Sequence, residues 1–196
     1  MKVSAAVMAG GKSRRMGRDK AWLDLGDGTP IVRRATNVLA GVADEVFVVA
    51  NDTAYDALGL RVVRDRYADG GALGGIATAV AAAAGEVVLV AACDMPFLSA
   101  PVWRLLIQLA PGNDVVVPRV GGQFETLHAV YAKSGLWAME SALASRRMRV
   151  ISFFPDVRVR DVGEDELRTA DPELRSFTNV NTPEELETAK RLAAIS

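Results

Sequence analysis

Between Val7 and Lys20 the chain gathers three glycines (Gly10, Gly11, Gly17) and five basic side chains (Lys12, Arg14, Arg15, Arg18, Lys20). This loop directly follows an apolar run from Val3 to Met8 that reads as a buried strand. Glycines let a backbone turn tightly and let its N–H groups converge on an anion, and the basic side chains supply the countercharge. Such a loop is built to hold a polyphosphate, that of a nucleotide above all. Two familiar phosphate loops fail on spacing. Gly11-Lys12-Ser13 looks like the end of G-x-x-x-x-G-K-[ST], but the leading glycine would fall at Ala6, inside the strand. G-x-G-x-x-G is absent because Gly10 and Gly11 are adjacent.

Four further groups could carry chemistry. Asp94, in Cys93-Asp94-Met95-Pro96, follows the apolar run Val87 to Ala92. It reads either as a turn former or as a carboxylate for magnesium, which takes one or two carboxylates, several waters and phosphate oxygens. A phosphate loop on the same sheet edge favours the metal. Gly70-Gly71-Ala72-Leu73-Gly74-Gly75 precedes an alanine-rich helix, where Gly74 and Gly75 would admit a base or ribose and the helix N-terminus favours negative charge. The other reading is a flexible connection. Asp65 and Asp69 flank it and could accept hydrogen bonds from ribose or a guanine edge. Asn179 and Asn181 fall on one side of an extended segment, where their amides could orient a substrate or lend an oxygen to a cation. His128 is the only histidine and lies in a strand pattern, where packing is the commoner role. With one His and one Cys, a nucleophilic triad has little support, so the chemistry would rest on metal, positive charge and positioning.

These groups need a scaffold, and the pattern supplies one. Strands are expected at Val3 to Met8, Glu45 to Ala50, Arg61 to Arg64, Val87 to Ala92, Val115 to Val117, Phe124 to Tyr131 and Val157 to Asp161. Helices are expected from Pro30 to Leu39, Ala72 to Ala84, Ser99 to Leu109 and Ser134 to Arg146. Pro30 and Pro101 suit first helical turns, and Ser99 suits an N-cap. A closing helix starts at Thr182-Pro183-Glu184-Glu185 with a capping box. The acidic stretch from Gly163 to Ser176 reads as a surface excursion. Alternating strands and helices give an α/β fold, a mostly parallel sheet between helices. Such sheets bind ligands beyond the carboxyl ends of their strands, where the candidate motifs lie.

Composition narrows the function. The 196 residues suit one domain, residues 1–196, and half are hydrophobic, enough for a sizeable core. A formal charge of −1 argues against general binding of nucleic acid or membrane surfaces. One cysteine excludes an intrachain disulfide and suits a reducing compartment, so a cytoplasmic location is expected. No signal peptide or membrane span fits the pattern.

Taken together, the motifs resemble the molybdenum cofactor guanylyltransferases, within the nucleotidyltransferases of the nucleotide-sugar type. The family pattern L-A-G-G-x-S-x-R-M-G-x-D-K appears as Met8 to Lys20, D…G-P-L-x-G as Asp69 to Gly75, C-D-x-P as Cys93 to Pro96, and N-x-N-T-P-E-E as Asn179 to Glu185. The motifs occur in order over nearly the whole chain. Three positions depart from the pattern: Met8 replaces leucine, Ala72 replaces the proline of G-P-L, and Thr126 replaces a frequent proline before Leu127-His128.

The resemblance implies a three-layer α/β/α sandwich with a Rossmann-like sheet of the nucleotide-diphospho-sugar transferase type. It implies GTP, Mg2+ and a molybdenum-loaded molybdopterin whose phosphate attacks the α-phosphorus, with pyrophosphate leaving. Molybdoenzymes or their chaperones would be downstream partners. By the same resemblance, backbone groups of Met8, Ala9, Gly10 and Gly11 hold the nucleotide. Arg15 and Lys20 neutralise the triphosphate, and Asp94 ligates magnesium. Asn51, Asp65 and Gly74 meet the ribose and base, while Asn179, Asn181 and His128 face the pterin. The nearest rival family, the molybdenum cofactor cytidylyltransferases, usually shows Ala-Ala-Gly where this chain has Ala9-Gly10-Gly11. A sugar-1-phosphate nucleotidyltransferase and a nucleotide-binding carrier without turnover are the other rivals.

Overall fold

A computed structural model describes residues 1–9, 19–67 and 69–195. The expected site residues Gly10, Gly11 and Arg15 lie outside the described residues.

Among the described residues the architecture is an eight-stranded, mostly parallel sheet with helices on both faces. Strands β1 (Val3–Met8), β2 (Glu45–Val49), β3 (Arg61–Val63) and β4 (Val87–Ala92) form a parallel block in the order β3-β2-β1-β4. β7 (His128–Ala132) then runs antiparallel to β4, and β5 (Val115–Val120) antiparallel to β7. The short β6 (Gln123–Phe124) and β8 (Val159–Val162) both pair with β5.

Alternation within each strand explains the layers. Val3, Ala5 and Val7 of β1 and Leu89 and Ala91 of β4 point to one face. There they meet Val32, Ala35 and Leu39 of α1 (Ile31–Ala40) and Val102, Trp103 and Leu106 of α3 (Ala100–Gln108). Ala6, Phe47, Val88 and Val90 point to the other face, against Leu73, Ile76 and Val80 of α2 (Gly71–Ala82) and Ala138, Met139 and Ala142 of α4 (Leu136–Ala144). All six residues of β4 are buried, as a strand covered on both sides requires. Each large side chain so buried contributes about 1.5–3 kcal/mol. Two further helices are α5 (Glu164–Leu167) and α6 (Pro183–Ala193). Among the described residues no helix is long and apolar enough to cross a membrane.

Several local expectations change. The strand expected from Phe124 to Tyr131 is broken at residues 125–127. The Glu125 N–H donates to Pro118 O and the His128 N–H to Glu125 O, so the backbone turns before β7 begins. Pro30 occupies the N-cap, one position ahead of the first helical turn. Ser99 is an N-cap without a side-chain hydrogen bond. The region from Gly163 to Ser176 is more than a surface excursion. It contains α5 and buries Leu167, Leu174 and Ser176, because its chain closes over the end of the sheet beside α3.

Candidate active site

The carboxyl ends of β1 and β4 are joined. Met8 pairs with Ala92 in register, and the Cys93 N–H donates to Met8 O at 3.1 Å. On the other side the Ala9 N–H donates to Val49 O at 2.9 Å. Ala9, the residue after β1, therefore sits between the turn after β4 and the end of β2.

Lys20 opens a short 3-10 turn, Lys20–Trp22. Asp19 caps it, accepting the Ala21 N–H at 3.1 Å through Oδ1 and the Tyr55 hydroxyl at 2.6 Å through Oδ2. Tyr55 is fully buried, and burial together with Asp19 raises its pKa, so the phenol stays protonated and holds Asp19. Asp19 was only a motif letter in the sequence. In the structure it fixes where Lys20 starts.

The Lys20 ammonium donates to Asn181 Oδ1 at 2.7 Å and lies 3.8 Å from Asp94 Oδ2. Asn181 is placed by the cap of α6. Thr182 Oγ1 accepts the Glu185 N–H, and the Glu185 carboxylate accepts the N–H groups of Thr182 and Asn181. Val180, buried with Leu25, Ile31 and Ala189, donates its N–H to Asp94 O at 2.9 Å. Asp94 is thus tied to the 179–182 segment through its backbone, which leaves its carboxylate beside Lys20. Burial raises the Asp94 pKa above the usual carboxylate value, the Lys20 charge and the residue's own backbone N–H oppose that, and Glu185 adds to it. A second positive charge near this carboxylate would be welcome.

Asp94, Glu125, Thr126, Asn179 and Asn181 line one cleft of about 250 Å3. No three His, Cys, Asp or Glu among the described residues cluster tightly enough to cage a metal. One hard carboxylate with a neutral amide nearby does fit magnesium, which keeps waters and takes its remaining oxygens from phosphates. Cys93 is no nucleophile, because burial and the Asp94 charge push its thiol up to about 12.

A second group sits where β2 and β3 end. The Asp65 N–H donates to Asn51 Oδ1 at 3.0 Å. Asp65 Oδ1 accepts the Tyr67 N–H at 2.9 Å and the Thr78 hydroxyl at 3.0 Å. Here Asn51 and Asp65 staple two loops to α2. Gly74 lies within the first turns of α2, and a Cβ there would stand 3.0 Å from Tyr67 Cβ. The close approach it serves in this structure is that of the chain at Tyr67. Met8 also reaches α2, its Cε 2.6 Å from where a Cβ on Gly75 would lie.

His128 does not face the cleft, which corrects its expected place beside the pterin. It is fully buried, stacked between Trp103 at 4.4 Å and Phe177 at 4.5 Å between ring centroids. Neither ring nitrogen makes a well-formed hydrogen bond among the described residues, although the Ser176 backbone lies close enough to favour the charged ring. Burial drives its pKa down to about 3, outweighing the pull of the Ser176 backbone and Asp171, so the ring is neutral at working pH.

Comparison with known proteins gives the family. The family model described as MobA-like NTP transferase domain matches residues 5–157. The chain is 42% identical over 195 residues to a "Probable molybdenum cofactor guanylyltransferase" of Pelotomaculum thermopropionicum, covering 98% of this chain and 94% of that one. It is 37% identical to a "Molybdenum cofactor guanylyltransferase" of Desulfosudis oleivorans, covering 96% and 94%. Among solved structures, molybdopterin-guanine dinucleotide biosynthesis protein A from Archaeoglobus fulgidus superposes with a TM-score of 0.85 at 26% identity, covering 98% of this chain and all of that one. The shared three-layer sheet is that of the nucleotide-diphospho-sugar transferases. By the family match over most of its length, with relatives aligned nearly end to end, this chain belongs to the MobA-like NTP transferases.

Proposed function

We propose that the protein, acting as a single nucleotidyltransferase domain, transfers GMP from GTP to the phosphate of molybdenum-loaded molybdopterin. An oxygen of the acceptor phosphate attacks the α-phosphorus, the bond to the bridging oxygen of the β-phosphate breaks, and pyrophosphate leaves. The observation that carries this reading is the Lys20–Asn181–Asp94 group at the joined ends of β1 and β4. It occurs in a chain whose full-length relatives are named for this reaction.

The reaction asks for alignment and charge neutralisation more than for a protein nucleophile. An acceptor phosphate is ionised near neutral pH and needs no general base. That suits a site whose histidine is sealed in the core and whose thiol stays protonated. Backbone groups from Met8 and Ala9 through Gly10 and Gly11 would cradle the nucleotide. Lys20, with Arg15, would meet the negative charge that moves onto the departing pyrophosphate. Asn51, Asp65 and Gly74 would shape the nucleotide side, and Asn179 and Asn181 the acceptor side. Nucleotidyltransferases of this kind generally work with a divalent cation. We propose magnesium held by Asp94, which would neutralise and align phosphate oxygens. We place the reaction in the cytoplasm, with the product passing to molybdoenzymes or their chaperones.

The test is pyrophosphate release with magnesium and molybdenum-loaded molybdopterin, comparing GTP with CTP. Release with GTP alone is expected, and release with CTP alone would overturn the guanylyl assignment. Asp94→Ala should abolish turnover while the melting temperature stays near that of the parent, since the Val180 bond uses only the Asp94 backbone. Full activity in that variant would remove Asp94 from the metal site.

A further inference from the structure

Glu125 was not singled out by the sequence motifs, yet it lines the cleft beside Asp94, Asn179 and Asn181. The turn that carries it is held at three points. The Glu125 N–H donates to Pro118 O, Glu125 O accepts the His128 N–H, and the next carbonyl, Thr126 O, accepts the hydroxyl of the fully buried Tyr131 at 2.7 Å. The break between β6 and β7 is therefore a rigid turn. It presents a half-buried carboxyl that has no hydrogen bond or ion pair among the described residues.

Burial alone acts on this carboxyl and pushes its pKa above the ordinary value. Its oxygens are open to the cleft rather than sealed from it, so they can accept N–H donors from a ligand that enters there. Two parallel acceptor oxygens match a flat edge with two adjacent N–H donors, the geometry in which a carboxylate binds best. A pterin carries that edge on its pyrimidine ring, at the 2-amino group and N3. The phosphates belong at the other carboxylate of the cleft, Asp94, beside the Lys20 ammonium.

We infer that Glu125 is a specificity residue for the acceptor: its carboxylate accepts the paired N–H groups at the 2-amino and N3 positions of the pterin. The inference rests on the acceptor proposed above, and its test separates the two. Transfer of GMP to molybdopterin by the parent enzyme checks the acceptor. Binding of pterin-6-carboxylate against lumazine-6-carboxylate, by calorimetry and by competition with molybdopterin, checks Glu125. Lumazine has a carbonyl where pterin has the 2-amino group, so it turns an acceptor toward the Glu125 carboxylate.

The parent should favour the pterin acid by roughly 10- to 100-fold, the range for a charge-assisted hydrogen bond exchanged for a repulsion. Glu125→Gln offers one acceptor and one donor, so the preference should vanish or invert toward lumazine. In the same variant the KM for molybdopterin should rise, while the KM for GTP, the magnesium activation midpoint and the melting temperature stay put. Glu125→Asp keeps both acceptor oxygens and should keep the pterin preference. An unchanged preference in Glu125→Gln overturns the inference. So does a shifted magnesium midpoint with the preference intact, or failure of the parent to bind either pteridine while still transferring GMP. Absence of transfer to molybdopterin by the parent overturns the acceptor reading itself.

Discussion

Lys20→Met keeps the aliphatic stem and removes the ammonium that bridges Asn181 and Asp94. Its effects on folding and on chemistry should differ in size. In the free protein the ammonium stands 3.8 Å from Asp94 Oδ2, with the two side chains 19% and 23% exposed. Two unit charges at that separation attract by about 1 kcal/mol in water and about 4 kcal/mol at an effective dielectric of 20. Desolvation and side-chain ordering offset part of this, and Asp94 is left without its partner, so the net loss of stability should be about 1–2 kcal/mol. Asn181 loses a donor but borders an open cleft, where water can replace it. During transfer the same ammonium would face charge growing on pyrophosphate in a site that excludes water. A fixed donor of that kind contributes about 3–4 kcal/mol, so kcat should fall by roughly 100- to 1,000-fold. The assay is pyrophosphate release with GTP and molybdenum-loaded molybdopterin, resolving kcat from KM, beside a thermal melt. Asn181→Ala keeps the charge but frees it from its anchor, and a loss of only about tenfold is expected. A kcat for Lys20→Met within threefold of the parent would refute the reasoning. A melting loss as large as the catalytic loss would make Lys20 a structural pin instead.

Two further outcomes concern the scaffold. His128→Phe should keep the stack between Trp103 and Phe177 while removing two buried nitrogens without well-formed hydrogen bonds, leaving stability at pH 7 equal or higher by chemical denaturation. The folded pKa of His128 is depressed from 6.5 to about 3, so the parent loses stability as pH falls from about 6.5 toward 3. The variant should be flatter over that window. Burial raises the Asp114 pKa, but the Ser134 hydroxyl, the Arg158 N–H and the Arg158 charge outweigh it and hold the carboxyl below its usual value of 3.8. Its stabilisation is present above the unfolded pKa and is lost as pH falls through the folded one. Asp114→Asn should therefore cost about 1–3 kcal/mol at pH 7, with the gap to the parent closing in acid, as followed by urea melts.

Much of the fold was legible because its signals are short-range. The wholly apolar β4 announces a strand covered on both faces, and Thr182-Pro183-Glu184-Glu185 announces a helix start. Both are found as read. Residues 163–176 read as a surface excursion because their apolar positions are sparse. Leu167, Leu174 and Phe177 count as core only once α3 and β7 are beside them.

The sequence by itself determined which residue types stand at the ends of the strands: Met8 closing β1, Asp94 after β4, and Asn179 and Asn181 ahead of α6. Local hydrogen bonding and alternation are enough for that. Only the tertiary structure decided what those residues touch. Lys20 and Asn181 are 161 positions apart, and no periodicity reports their 2.7 Å hydrogen bond. Alternation could say that His128 shares a face with Val130, but helices cover both faces of this sheet, so neither face means cleft or solvent. The stack on Trp103 and Phe177 put His128 in the core. Two backbone hydrogen bonds and one from the Tyr131 hydroxyl at the break before β7 put Glu125, three residues before His128, at the cleft.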